Sequence, residues 1–100
     1  MLLIQGWLKL AAGEFDKVAD QAREMVAATN AEPGCIHYSF ARDVGDPDLI
    51  HIAERWSDSE ALAAHSASAH MRVFNKAMGS VTREGADLWL YSAEGVRKLI

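Results

Sequence analysis

The chain has 100 residues, 50% of them from the hydrophobic set, and a formal net charge of -4 at pH 7. That describes one globular domain, residues 1–100, without the basic stripe that would neutralise phosphates, which excludes a nucleic-acid partner. Its single cysteine, Cys35, rules out an internal disulfide and a thiolate zinc site. No basic leader and no uninterrupted apolar run of about 18 residues marks a signal peptide or membrane span, so a soluble cytoplasmic protein is expected. A chain of this size buries only roughly 60–70% of its unfolded surface, and pooling a core with a second subunit would help it.

Leu2 to Leu10 alternates as a first strand does, and Ala11-Ala12-Gly13 breaks the pattern. From Phe15 the apolar residues recur at helical spacing, through Val18, Ala19, Ala22, Met25 and Val26 to Thr29, which predicts one amphipathic helix. Pro33-Gly34 ends it. Cys35 to Arg42 is the second strand, and the Asp43 to Asp48 loop makes a hairpin with a third strand from Leu49 to Trp56. Pairing Asp43 with Leu49 sets Phe40 opposite Ile52, Tyr38 opposite Glu54, Ile36 opposite Trp56 and His37 opposite Arg55. At Ser57 the period changes. Ser57-Asp58-Ser59-Glu60 fits a capping box, so the third strand turns directly into a helix, which Ser66-Ala67-Ser68 interrupts before it resumes from Ala69 to Met78. Ala86 to Ala93 reads as the last strand.

Strand, helix, strand, strand, broken helix, strand is the order of an α+β, ferredoxin-like split βαβ domain, with a four-stranded antiparallel sheet and its helices on one face. The more apolar strand faces, carrying Leu2, Ile4, Leu8, Ile36, Tyr38, Phe40, Ile50, Ile52, Trp56, Leu88 and Leu90, belong under the helices. Trp7, Trp89 and Tyr91 then lie on the open face beside Cys35, His37 and Ala53. Two indoles and a phenol exposed together favour a homodimer that buries this face.

His65 and His70 are candidate proton-transfer residues, since an imidazole titrates near neutrality. On one uninterrupted helix they would stand about 140° apart, poorly placed as a metal pair, whereas a break at Ser66 to Ser68 would turn both toward one cavity. A structural role for each is open too, with His65 capping or lining a helix end and His70 packing on Phe74. Trp56 faces the helices as core or as pocket wall, and its indole N–H needs a partner. Glu54, a carboxylate on an apolar face, must be paired, placed at an edge or shifted in pKa; Tyr38 is its expected cross-strand neighbour, and both could instead be polar points in an aromatic pocket. Cys35 reads as an inert small apolar residue, and His37, His51 and Arg55 belong to solvent or a subunit interface. The chain has no GxGxxG, P-loop, CxxC, HExxH or GxSxG segment, so nucleotide, thiol-metal and acyl-transfer chemistry have no local support.

Glu32-Pro33-Gly34-Cys35, the Tyr38 strand, Asp46-Pro47, the run from Glu54 through Trp56-Ser57-Asp58 to Glu60-Ala61-Leu62, and His65, Ser68, His70 and Phe74 together resemble the antibiotic biosynthesis monooxygenase family, from the first strand to about Met78. The resemblance implies a dimeric α+β barrel, in which two such sheets pack face to face. It implies a pocket between sheet and helices, with His65 and His70 as catalytic residues and Trp56, Tyr38, Glu54 and Phe74 against a small aromatic substrate. The implied activity is cofactor-independent oxidation of a phenolic, quinol or anthrone-like molecule by O2, with no metal and no cofactor. Family members that degrade haem suggest an alternative, although their first-strand Asn has only Gln5 or Trp7 in its place here. A dimer that binds a small ligand without catalysis is the third reading.

Overall fold

Alternation in sequence becomes alternation in burial most plainly along the strand Leu49–Trp56, where Ile50, Ile52, Glu54 and Trp56 are buried while His51, Ala53 and Arg55 are exposed. A computed structural model describes residues 1–100. Its elements are β1 (Leu2–Leu10), α1 (Ala19–Asn30), β2 (Cys35–Arg42), β3 (Leu49–Trp56), α2 (Ser59–Ser66), α3 (Ala69–Met78) and β4 (Arg83–Ser92), with a short 3-10 turn at Glu14–Lys17. The strands form one antiparallel sheet in the order β2-β3-β1-β4, the ferredoxin-like topology expected from the element order. No helix is long and apolar enough to cross a membrane.

Four expectations need correction. The segment from Phe15 to Thr29 is two pieces, because the 3-10 turn closes on Val18, whose φ of -121° is not helical, before α1 begins. Phe15, Val18, Ala22, Met25 and Thr29 still face the core. Ser57 does not cap α2. Its backbone N–H donates to the Gly34 carbonyl, 2.8 Å away, and Asp58 caps instead by accepting from the Ala61 N–H at 2.8 Å. In the β2–β3 hairpin, Phe40, Tyr38 and His37 pair as expected, but a bulge then puts Cys35 opposite Trp56 and leaves Ile36 about half exposed instead of under the helices. Lastly, β4 starts at Arg83 rather than Ala86, because Arg83 pairs with Leu10 and the Ala11 N–H reaches the Thr82 carbonyl.

The main helix–sheet packing is of α1 on β2 and of α2 on β3, and the edge strand β4 is the least covered. Leu88 and Leu90 share the helix-side face with Ile4 and Glu54, yet both are about half exposed rather than covered. On the opposite face Trp89 is 59% and Tyr91 43% exposed. Gly6, in the middle of β1, lets β4 approach closely: a Cβ there would lie 1.9 Å from the Asp87 carbonyl oxygen. At the other edge, Asn30 closes α1 onto β2. Its Nδ2 donates to the Tyr38 carbonyl at 2.9 Å and its Oδ1 accepts from the Tyr38 N–H at 3.1 Å, which satisfies an edge residue as a neighbouring strand would.

Candidate functional site

The break between α2 and α3 builds the site. Ser68 caps α3 by accepting from the Met71 N–H, and its hydroxyl donates to the His65 carbonyl at 2.7 Å. The chain therefore turns between the two helices. His65 and His70, which a straight helix would separate, come to a ring-centroid distance of 6.0 Å. Both face Glu32, which follows α1: His65 Nδ1 lies 3.1 Å from Oε2, and His70 Nε2 lies 2.7 Å from Oε1. The turn Pro33-Gly34 fixes Glu32 there. Gly34 has φ +81°, and a Cβ on it would meet the Ala61 Cβ at 2.5 Å, so only glycine seats this turn against α2.

Between the sheet and α2–α3 runs a mainly apolar cleft of about 450 Å³. Its floor includes Ile52, Glu54, Tyr38 and Phe40, its roof Leu62, Met71 and Phe74, and its β4 side Ala86 and Leu88; His65 stands in its wall. This volume suits a ligand of a few fused rings. A larger and more open depression of about 580 Å³ lies beside Glu32 and is lined mainly by polar residue types, among them Asp58, Glu60, Ser68 and His70.

The sequence-derived candidates divide accordingly. His65, Tyr38, Glu54 and Phe74 all line the cleft. His70 does not; it borders the polar groove and a smaller hollow against α1. Trp56 is fully buried and packs its ring 4.8 Å from His65, behind the cleft wall. Its indole N–H donates to Glu54 Oε1 at 2.9 Å, so the polar partner of Glu54 is the residue two positions along its own strand rather than Tyr38 across the hairpin. Gln5 alternates to the opposite sheet face from Ile4 and Gly6. His37, His51 and Arg55 are exposed, with His51 held by Asp43 at 2.7 Å.

Burial sets the electrostatics. His65 is only 4% exposed, and that burial pulls its imidazole below the ordinary value, with Glu32 opposing and His70 adding to the fall. An ionised carboxylate only accepts, so Glu32 holds the proton of His65 on Nδ1 and leaves the Nε2 lone pair free. Burial raises the Tyr38 phenol, with Glu54 and Glu32 adding to the shift, so Tyr38 stays a hydroxyl donor. The same cause pushes the Cys35 thiol up, which keeps it unreactive. Glu32 is the residue that sequence reasoning passed over: it stood beside a turn signal, and nothing local told that two imidazoles would meet it.

Glu54 is raised from 4.5 by desolvation, against the Trp56 hydrogen bond. A folded-state carboxyl pKa above its unfolded value means that ionisation costs stability as pH rises through that interval, and costs nothing below it. Glu54→Gln, which can still accept from Trp56, is accordingly expected to melt with the wild type below about pH 4 and several degrees higher at neutral pH. Parallel calorimetric scans at the two pH values check this, and equal melting temperatures at neutral pH would refute it.

A ferredoxin-like sheet with an aromatic cleft under its helices, carrying an imidazole, a phenol and a carboxyl on its walls, defines an α+β domain with a cavity of ligand size. More specifically, the family model described as antibiotic biosynthesis monooxygenase matches residues 1–77, and the chain belongs to that family. It is 26% identical over 74 residues, 74% of this chain and 78% of the relative, to YcnE of Bacillus subtilis (strain 168), whose name calls it a monooxygenase only provisionally. A Deinococcus radiodurans structure, given the family name equally provisionally, superposes with a TM-score of 0.86 at 21% identity, covering 100% of this chain and 99% of that one. PA3566 from Pseudomonas aeruginosa gives 0.81 at 23% identity, with 94% of each chain covered. At these identities the two structures speak for the fold.

Proposed function

We propose that the protein is a homodimeric monooxygenase that oxidises a phenolic, quinol or anthrone-like molecule with O2 and no bound cofactor. One observation carries the reading: a buried imidazole stands in the wall of an apolar cleft of about 450 Å³ with Nδ1 held by Glu32, which leaves Nε2 to take a substrate proton. The resulting anion is electron-rich enough to reduce O2 directly. For an anthrone-like substrate the CH2 becomes C=O, one oxygen atom stays in the product and the other leaves as water, so the substrate supplies all four electrons. A hydroquinone with a free ring C–H likewise supplies four electrons, two from the diol and two from that C–H, and leaves as a hydroxyquinone with one water. Tyr38 donates a hydrogen bond to the anion, Phe74 lies against its ring, and the apolar walls exclude water. Trp56 supports this arrangement from behind, by packing on His65 and bonding Glu54.

The dimer is part of the proposal. Trp89 and Tyr91 on the open sheet face are large exposed aromatics that a second copy would bury, which agrees with the face-to-face barrel implied by the sequence resemblance.

Purified, metal-depleted protein, sedimenting as a dimer, is expected to consume O2 with menadiol or an anthrone faster than autoxidation of either substrate alone. A rate equal to autoxidation for both would sink the oxygenase reading. A Soret band on haem titration would then point to the haem alternative, and a bound aromatic without turnover to a ligand-binding role.

A further inference from the structure

Glu32, His65 and His70 place one carboxylate and two imidazoles so that their candidate donor atoms all lie within 4.8 Å of one another. Three separate elements deliver them, namely the turn after α1, the end of α2 and the start of α3. Two of the separations, 3.1 Å from His65 Nδ1 to Oε2 and 2.7 Å from His70 Nε2 to Oε1, are shorter than the roughly 3.3–3.6 Å between tetrahedral ligands about 2.0–2.2 Å from one ion, so these contacts must open slightly around it. The widest must close by about 1–2 Å, within reach of side-chain rotation. His70 Nε2 supplies a second observation. It is buried and has no hydrogen-bond partner, because Glu32 Oε1, although close, is off the line that an N–H would need. An ion between the three groups would use the Nε2 lone pair that this arrangement leaves without a donor. Access exists as well: the polar groove bordered by Asp58 and Glu60 leads from solvent to Glu32 and His70, and its carboxylates attract cations.

We propose that Glu32, His65 Nδ1 and His70 Nε2 form a site for a borderline divalent ion such as Zn2+ or Co2+, with the remaining coordination positions open to water from the groove. The two-imidazole, one-carboxylate donor set suits these ions better than Ca2+ or Mg2+. The site adjoins the cleft through His65, and that has a chemical consequence. An ion on Nδ1 displaces the proton there, so the neutral ring must carry its proton on Nε2. Nε2 then donates where it formerly accepted, and the group facing the cleft is no longer a base. This inhibitory consequence rests on the oxygenase reading; the binding site does not.

Titration of the full-length apo protein with Co2+ tests the site without any turnover. Visible ligand-field bands saturating at one ion per chain and displaced by Zn2+ are expected, with affinity falling at least tenfold in Glu32→Ala and in His70→Ala and holding in the surface control His51→Ala. Because Glu32→Ala removes a packed side chain, the wild type also carries an independent readout: on Zn2+ addition the side-chain nitrogen signals of His65 and His70 must shift while those of His37 and His51 stay. Absence of the bands, equal binding by the two variants, or shifts confined to His37 and His51 would each overturn the site. Added Zn2+ is further expected to stop O2 consumption and EDTA to restore it. Turnover that persists with the bands fully developed would remove His65 as the base while leaving the metal site intact.

Discussion

Replacing His65 with alanine is expected to lower kcat for the quinol or anthrone oxidation by about 10²–10⁴-fold, the usual worth of a positioned general base, while KM stays within a few-fold. The reason lies in which nitrogen is free. Glu32 fixes the ring by its Nδ1, Trp56 and Tyr38 pack against it at 4.8 Å and 5.3 Å, and Nε2 is left without a protein partner in a ring that lines the cleft. His65→Gln keeps a polar side chain near Glu32 but has no basic nitrogen, so it should be as slow as the alanine variant. Glu32→Gln should lose less, about 10–100-fold, because the base survives and only its orienting carboxylate is gone. Free imidazole added to His65→Ala should recover part of the rate, a response that a purely structural histidine would not give. Stopped-flow oxygen consumption with circular dichroism on each variant decides the matter. Should His65→Ala keep more than a tenth of the wild-type kcat, the proton is taken elsewhere, and Glu54 is the carboxyl remaining on the cleft wall.

Gly6→Ala is expected to cost about 3 kcal/mol or more, which for a domain near this size lowers Tm by roughly 12–24 °C. The new Cβ would lie 1.9 Å from the Asp87 carbonyl oxygen and 2.7 Å from the Leu88 Cα. Both obstacles are backbone, so no rotamer change relieves them. The strand β4 must move away from β1, which takes the ladder on that side and the Ala86–Leu88 wall of the cleft with it. Gly95→Ala, where a Cβ would meet nothing within 4 Å, is the matched control and should leave Tm unchanged. Thermal melts of the pair settle it: equal Tm values would mean that β4 shifts at little cost.

Most of the fold is legible in the sequence because burial and period coincide. Ile50, Ile52, Glu54 and Trp56 alternate without exception, and the element order admits few topologies. What escaped was set by hydrogen bonds that no periodicity carries. Ser57 looked like a cap until its N–H was committed to Gly34, and Ile36 left its expected face because a bulge follows Cys35. Leu88 and Leu90 were placed on the right face, yet coverage depends on where the helices pack, and these pack chiefly on β2 and β3. For the site, the break at Ser66-Ala67-Ser68 was visible, and with it the chance that two distant imidazoles converge. That they would converge on Glu32, with His70 outside the cleft and Trp56 behind it, depends on contacts between α1, α2 and β3 that only the folded chain supplies.

The amide of Asn30 gives the sheet a direction of growth. A foreign strand arriving beside β2 would have to evict that side chain from both backbone groups of Tyr38 before it could add to the ladder, whereas no such obstacle guards the outer rim of β4. Pairing on the β2 rim therefore carries a cost of two backbone hydrogen bonds at Tyr38 that pairing on the β4 rim does not.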